Sequence, residues 1–322
     1  MKAVVSLALA VAVAQAATFT QTAGAADYPS KPIHVTIPFP PGGTTDLITR
    51  TLAPQMEPEL KQPVVVENKP GAGGLLGVMS VARAEPDGYN VVVTGGSAIG
   101  PTFIRDSTIE MYRDLAPVSA FYEGVFVMVV QRSVPATNMA ELLAYAKANP
   151  GKLNYGTTAS NEKMLMEMFK RAAGVEIVEI NYKGGAPRVA AMLANEVQLA
   201  IGASEMLNRP DLAAKVRAVI AFGPRAPSQH PGIPTAAQAG FPSLNAPSTA
   251  GMWAPQGTPA DAITKLNRAV VPLLAMPANK AKILELSGFD AGGSTPEELR
   301  ARSKAERDFY VQAATLMKLQ PQ

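Results

Sequence analysis

Two long, predominantly apolar stretches, Val118–Val130 and Val216–Phe222, constrain the fold more than any other feature, because each borders a series of short alternating strand and helix patterns. Before the first stretch, Ile33–Ile37 reads as a strand, Thr45–Leu60 as a helix with Thr44 or Thr45 as its N-cap, and Val64–Val66 as a buried strand. A helix over Leu75–Arg83 and a strand over Tyr89–Val93 follow. Between the stretches come helices over 138–149, 162–173 and 187–195 and strands over 153–155, 175–180 and 197–201, with Pro187 at a first helical position. Strand and helix alternating through short Gly and Pro loops predict an α/β fold with mainly parallel sheets flanked by helices. The two stretches then read as crossovers between lobes. Lobe 1 is assigned to residues 27–122 plus 224–322, and an inserted lobe 2 to residues 123–223. Residues 224–259, rich in Pro and Gly but carrying Phe241, Leu244, Met252 and Trp253, read as an ordered surface excursion. Helices over 260–274 and 296–316 return to lobe 1.

Residues 1–26 read as a secretory signal peptide: one basic group, Lys2, an apolar run over Ala3–Ala14, and small residues ending in Ala23-Gly24-Ala25-Ala26. The run is shorter than the ~20 apolar residues that span a bilayer. A mature chain beginning at Ala26 or Asp27 is expected outside the cytoplasm, in the periplasm, and is long enough for two cores. Removing Lys2 from the 29 Lys and Arg leaves 28 against 26 Asp and Glu, a net charge of +2. Scattered bases with this balance give no footprint for nucleic acid. With no cysteine, disulfides, thiol catalysis and thiolate metal ligands are excluded. Two histidines, His34 and His230, give little basis for a histidine metal site or a Ser/His triad.

Three loops of one type carry the binding chemistry. In Pro38-Phe39-Pro40-Pro41-Gly42-Gly43-Thr44-Thr45-Asp46 a strand ends, a glycine pair brings the backbone close to a ligand, and a helix starts with free N–H groups and a positive dipole end. Such a junction suits an anion. Tyr182-Lys183-Gly184-Gly185-Ala186-Pro187 repeats the arrangement, with Lys183 as an optional charge. Gly156-Thr157-Thr158-Ala159-Ser160 adds three hydroxyls and a further helix start.

Competing chemistries fare worse. Gly71-Ala72-Gly73-Gly74-Leu75-Leu76-Gly77 lacks the third glycine of a dinucleotide fingerprint, which falls at Leu76, and no phosphate-binding P-loop is present. Asp46, Glu123, Glu162 and Glu205 lie near loops, but nothing in their spacing fixes a catalytic pair. Trp253 and the Met164, Met166 and Met168 group read as core packing. No enzyme activity, cofactor or metal is expected.

Several segments together resemble the periplasmic substrate-binding proteins of tripartite tricarboxylate transporters, the Bug receptors. They are Tyr28-Pro29-Ser30-Lys31-Pro32-Ile33, Pro38–Asp46, Val65-Val66-Glu67-Asn68-Lys69-Pro70-Gly71-Ala72-Gly73-Gly74, Pro86-Asp87-Gly88-Tyr89, Asn154-Tyr155-Gly156, Tyr182–Gly185 and Gly251-Met252-Trp253-Ala254-Pro255. The resemblance spans nearly the whole mature chain. It implies a type II periplasmic-binding fold that closes by a hinge on a small carboxylate, often through bridging waters, and delivers it to integral membrane permease subunits. By position it places Phe39, Gly42, Gly43, Thr44 and Asp46 opposite Thr157, Thr158, Ser160, Lys183 and Gly184, with Ser97 near the cleft floor. Pro41, Thr45, Ala159, Gly185 and Ser204 complete the candidate set.

The second lobe departs from the family's pattern. Where relatives carry a Gly- and Ser-rich loop and a His, this chain has Thr157-Thr158-Ala159-Ser160-Asn161-Glu162-Lys163, and where they carry Val-Asp it has Val197-Gln198, followed by Ala203-Ser204-Glu205. A monomeric transport receptor for a di- or tricarboxylate, an amino acid or an aromatic acid is the expected function. An extracytoplasmic sensor with the same binding physics is the alternative, and a secreted enzyme a remote one.

Overall fold

Strand β1 (Ile33–Ile37) pairs in parallel with β2 (Val64–Asn68) on one side and β3 (Asn90–Gly95) on the other, Ile33 lying opposite Val64 and Val35 opposite Val91. The computed structural model to which these elements belong describes residues 28–95, 111–158 and 160–317. The expected signal peptide over residues 1–26, Ser97 and Ala159 lie outside the described residues. Helix α1 (Thr44–Leu60) connects β1 to β2, and its Ile48, Leu52, Met56 and Leu60, recurring every four residues, are all buried. Full burial of such a side chain contributes about 1.5–3 kcal/mol, so this stripe fixes α1 against the sheet. Helix α2 (Leu75–Ala82) connects β2 to β3.

The first apolar stretch lies within one 17-residue strand, β4 (Leu115–Gln131). As far as Val125 it pairs antiparallel with β9 (Pro247–Pro255). From Phe126 onward it pairs with β8 (Val216–Phe222), the second apolar stretch, and with β7 (Leu199–Gly202). Beyond β7 lie β5 (Asn154–Thr157) and β6 (Val178–Asn181), in parallel. The strand order is β2-β1-β3-β9-β4-β7-β5-β6, with β8 and the short β10 (Asp290–Ala291) also on β4. Helices α3 (Met139–Ala148), α4 (Ser160–Ala173) and α5 (Gly185–Leu193) link the strands of the second half. The result is a mixed α/β protein with two lobes. The four parallel ladders are outnumbered by five antiparallel ones, each involving β4 or β9, among the described residues.

Residues 224–259 are not wholly a surface excursion, because Pro247–Pro255 form β9, a central strand between β3 and β4. Pro247, Gly251 and Pro255 disguise it, since Pro and Gly ordinarily demote a strand. Gly251 is there for close approach: a β-carbon would lie 2.6 Å from the Ser119 carbonyl oxygen and 2.8 Å from Leu299. Trp253, two residues on, is fully buried, and Met164 and Met166 on α4 are buried, in keeping with core packing, whereas Met168 is half-buried. Helices α6 (Ala260–Ala275) and α8 (Pro296–Met317) form as expected, separated by α7 (Pro277–Ser287), which the sequence reading omits. Helix α8 packs on β4 and β9 and reaches across to α4, where Met164 meets Tyr310, Ala313 and Ala314.

Candidate functional site

Helix α1 is capped by Gly43, with φ −76° and ψ 164°, and not by either threonine. Glycine has no side chain to occupy the helix's orphan donors. The first ladder bond runs from the Leu47 N–H to the Gly43 carbonyl at 3.0 Å, so the amides of Thr44, Thr45 and Asp46 precede the ladder. Gly42, at φ +82°, takes a left-handed turn that other residues rarely adopt. Pro41, Gly42 and Gly43 are exposed, and Phe39 and Thr44 are half-buried. An open loop that ends in amides ahead of the ladder, at the positive end of a helix dipole, has the geometry to cradle an anion.

Asp46 builds the cradle and does not line it. Its carboxylate is buried and accepts from the Gly42 amide at 2.9 Å, from Asn68 Nδ2 at 2.9 Å and from Arg50 Nε at 2.9 Å. Burial opposes its ionisation, but the Gly42, Asn68 and Arg50 contacts outweigh that and hold its carboxyl below the usual carboxylate range. Asn68 also donates to the Phe39 carbonyl at 3.1 Å and accepts from Arg50 Nη2 at 2.7 Å, tying the end of β2 to the turn. Thr45 is likewise turned inward, its hydroxyl 2.8 Å from the Tyr122 hydroxyl. The glycine run after β2 supports the same turn: a β-carbon at Gly77 would lie 2.7 Å from the Lys69 carbonyl and 2.8 Å from Pro38 Cα. These glycines pack loop against loop.

In the second half, α4 and α5 begin at the candidate loops. Thr158 donates to Glu162 Oε2 from its amide at 2.7 Å and from its hydroxyl at 3.0 Å. The other Glu162 oxygen pairs with Arg188 at 2.8 Å, and both side chains are buried. Arg188 also donates to the Ile201 carbonyl at 2.9 Å and runs beneath Gly156. Thr157 is buried and donates to Glu179 at 3.0 Å, while Lys163 pairs with Glu179 at 2.6 Å. Helix α5 starts at Gly185, capped by Gly184 at φ +110°, so Pro187 is its third residue and not its first. Lys183, Gly184 and Gly185 are exposed. Ser204 is fully buried, its hydroxyl donating to the Gly288 carbonyl at 2.7 Å.

The structure therefore places Phe39, Pro41, Gly42, Gly43 and Thr44 on the open α1 turn, and Lys183, Gly184 and Gly185 on the open α5 turn. It turns the side chains of Thr45, Asp46, Thr157 and Ser204 into the protein. Ser160 is the first residue of α4. Sequence reasoning passed over Arg50, Asn68, Tyr122 and Arg188, which hold the loops. Only Asn68 had a signal, its place in the Val65–Gly74 segment. A cavity of about 500 Å³ lies elsewhere, among Met168, Arg171, Leu244 and Phe309, and contains none of the candidate loops. No described helix is long and apolar enough to cross a membrane, and no three described His, Asp or Glu residues cluster as metal ligands.

Comparison with known proteins identifies the family and the fold. A family model, the tripartite tricarboxylate transporter family receptor, matches residues 48–299. Protein BugT of Bordetella pertussis is 32% identical over 294 residues, 86% of this chain and 87% of BugT. The solved periplasmic binding protein BugD is 28% identical with a TM-score of 0.78, covering 92% of this chain and 100% of BugD. A protein of R. palustris solved with adipate is 29% identical with a TM-score of 0.76, covering 90% of this chain and 98% of that one. The two-lobed fold described above is thus the periplasmic-binding fold.

Proposed function

We propose that this chain, which belongs to the tripartite tricarboxylate transporter receptor family, is an exported periplasmic receptor that captures a small carboxylate between its lobes and delivers it to a membrane permease. The open α1 turn carries this reading. Backbone amides at Thr44–Asp46, glycines at 42 and 43 and the positive end of a 17-residue helix favour a carboxylate without a formal counter-charge. The acid nearest to it, Asp46, is turned away and neutralised by Arg50. The ligand found with the R. palustris relative, adipate, is a dicarboxylate, and a second carboxylate has donors to meet at the α4 and α5 turns.

We assign residues 27–122 plus 224–322 to one lobe and 123–223 to the other, with hinge bending where β4 exchanges β9 for β8 as its partner. In this reading residues 1–26 direct export, the receptor acts as a monomer without a cofactor or nucleic acid, and the permease subunits read its closed form. The test is a thermal-shift screen of mono-, di- and tricarboxylates, aromatic acids and neutral solutes. A receptor is stabilised by mass action, about 2.7 kcal/mol at a hundredfold excess over Kd. A shift with neutral solutes but with no acid would refute the carboxylate assignment.

A further inference from the structure

The inward-facing Thr45 is the end of a continuous chain of contacts that starts in the second lobe. Past β7, the turn Ser204–Asn208 is seated on the end of α7. Ser204 donates to the Gly288 carbonyl, and Gly288, at φ +66°, lets the Glu205 backbone approach so closely that a β-carbon has no room. The next residue, Phe289, fills the space over Gly124 and stacks on Tyr122, with ring centroids 5.6 Å apart and planes at 15°. Its ring also meets Phe126 edge-on at 5.8 Å. Tyr122 stands on β4 just before that strand exchanges partners, and its hydroxyl reaches Thr45 in the first turn of α1.

We infer that Tyr122 is a positioning residue: through its hydroxyl bond to Thr45 and its stack on Phe289, it couples the orientation of the α1 amides to the seating of the second lobe's Ser204–Asn208 turn. The inference rests on the proposed carboxylate-receptor function. A buried phenol needs a partner. Burial raises the Tyr122 hydroxyl to about 12, with Thr45 opposing the rise, so it keeps its proton over the working range. Rotation of the first turn of α1 would break this bond and leave two buried hydroxyls unpaired. A shift of Phe289 would move the ring that carries one of them. Hinge motion and amide geometry are thereby linked through side chains that are turned into the protein.

The test uses Tyr122→Phe, which keeps the ring and its stack, together with Thr45→Val and the double variant. Amide hydrogen exchange on the ligand-free protein is read at Leu47 and Ile48, the first amides of the α1 ladder. Exchange there is expected to quicken about tenfold in Tyr122→Phe, and unchanged protection would overturn the inference. Calorimetry with adipate, succinate and citrate is expected to show affinity about tenfold weaker in either single variant, with no further loss in the double. Unchanged affinity or additive losses would also overturn it, whereas a merely structural tyrosine would lower the melting temperature and leave affinity alone. If the wild-type protein binds none of the three, the best acid of the thermal-shift screen replaces them; if no acid of that screen binds, the carboxylate function is what fails, and hydrogen exchange decides the inference alone.

Discussion

Replacing Glu205 with Gln should change how stability depends on pH while leaving the shape of the site intact. Glu205 follows Ser204 in the turn seated on Gly288, and its Oε2 is cut off from solvent with no hydrogen-bond partner. Desolvation pushes its carboxyl up to about 8, with the Glu162 charge adding to the rise, while Arg188 and nearby backbone amides pull the other way. Between about pH 4.5 and 8 the native chain therefore holds a proton that the unfolded chain has released. Stability from this group is complete below about 4.5 and falls as pH rises toward 8, at ~1.4 kcal/mol per pH unit for a full proton. The residue as a whole is only half-buried, and solvent screening narrows the pH window over which that slope applies, so the loss from pH 5.5 to 7.5 should be roughly 1–3 kcal/mol. Gln cannot ionise and should remove that component. Urea denaturation at constant ionic strength at pH 5.5, 6.5 and 7.5 would measure it, with unfolding free energies compared at matched m values. The variant should gain on the wild type by that amount as pH rises. Parallel profiles, or a wild type that gains on the variant, would refute the reasoning.

Two further substitutions separate the cradle from its scaffold. At Gly43 an added β-carbon would meet only the Pro40 carbonyl, at 3.7 Å, and φ is ordinary; Gly43→Leu should fold with a melting temperature within a few degrees of wild type, yet lose at least ~90% of its affinity for the best acid of the screen. Calorimetry on the folded variant showing wild-type affinity would sink the anion-cradle reading. At Gly77 the backbone closes in from both sides, so Gly77→Ala should cost about 1–3 kcal/mol, and a thermal melt matching wild type would show that the two loops are not in contact as described.

Much of the frame was legible because it depends on periodicity. β1 runs over the residues its alternation indicated, α1 follows its four-residue stripe, and both apolar stretches became the strands at which the sheet changes partners. Features that depend on tertiary contact were not legible. β9 hides among prolines and glycines because close approach to Ser119 and Leu299 demands small residues where propensity demands large ones. The direction in which Thr45, Thr157 and Ser204 point was equally unreadable, since each hydroxyl finds a partner far along the chain or across the sheet: Tyr122, Glu179 and Gly288. A hydroxyl in a loop reads as a ligand contact until its own partner is known.

The two loops share one construction despite unrelated sequences. In each, an acid in the first turn of the helix accepts the backbone N–H of the residue four earlier: Asp46 from Gly42 at 2.9 Å and Glu162 from Thr158 at 2.7 Å. That bond fixes the loop but brings a negative charge to the end of the helix where an anion should bind. In each case an arginine answers it, Arg50 one turn along α1 and Arg188 from beneath the second-lobe strands. Hydrogen bonds thereby hold the loops without cancelling the helix dipoles, and a loop held in advance lowers the ordering cost of any binding it takes part in. The difference lies in where the arginine sits. Arg50 is half-exposed and lies four residues from the acid it answers, whereas Arg188 is buried, bonded to Ile201 and within electrostatic reach of Glu205. The loop ahead of α4 therefore takes its shape from Arg188 and, through it, from the Ile201 carbonyl on β7, so that a substitution of Arg188 acts on the Thr158–Glu162 contact from outside the loop.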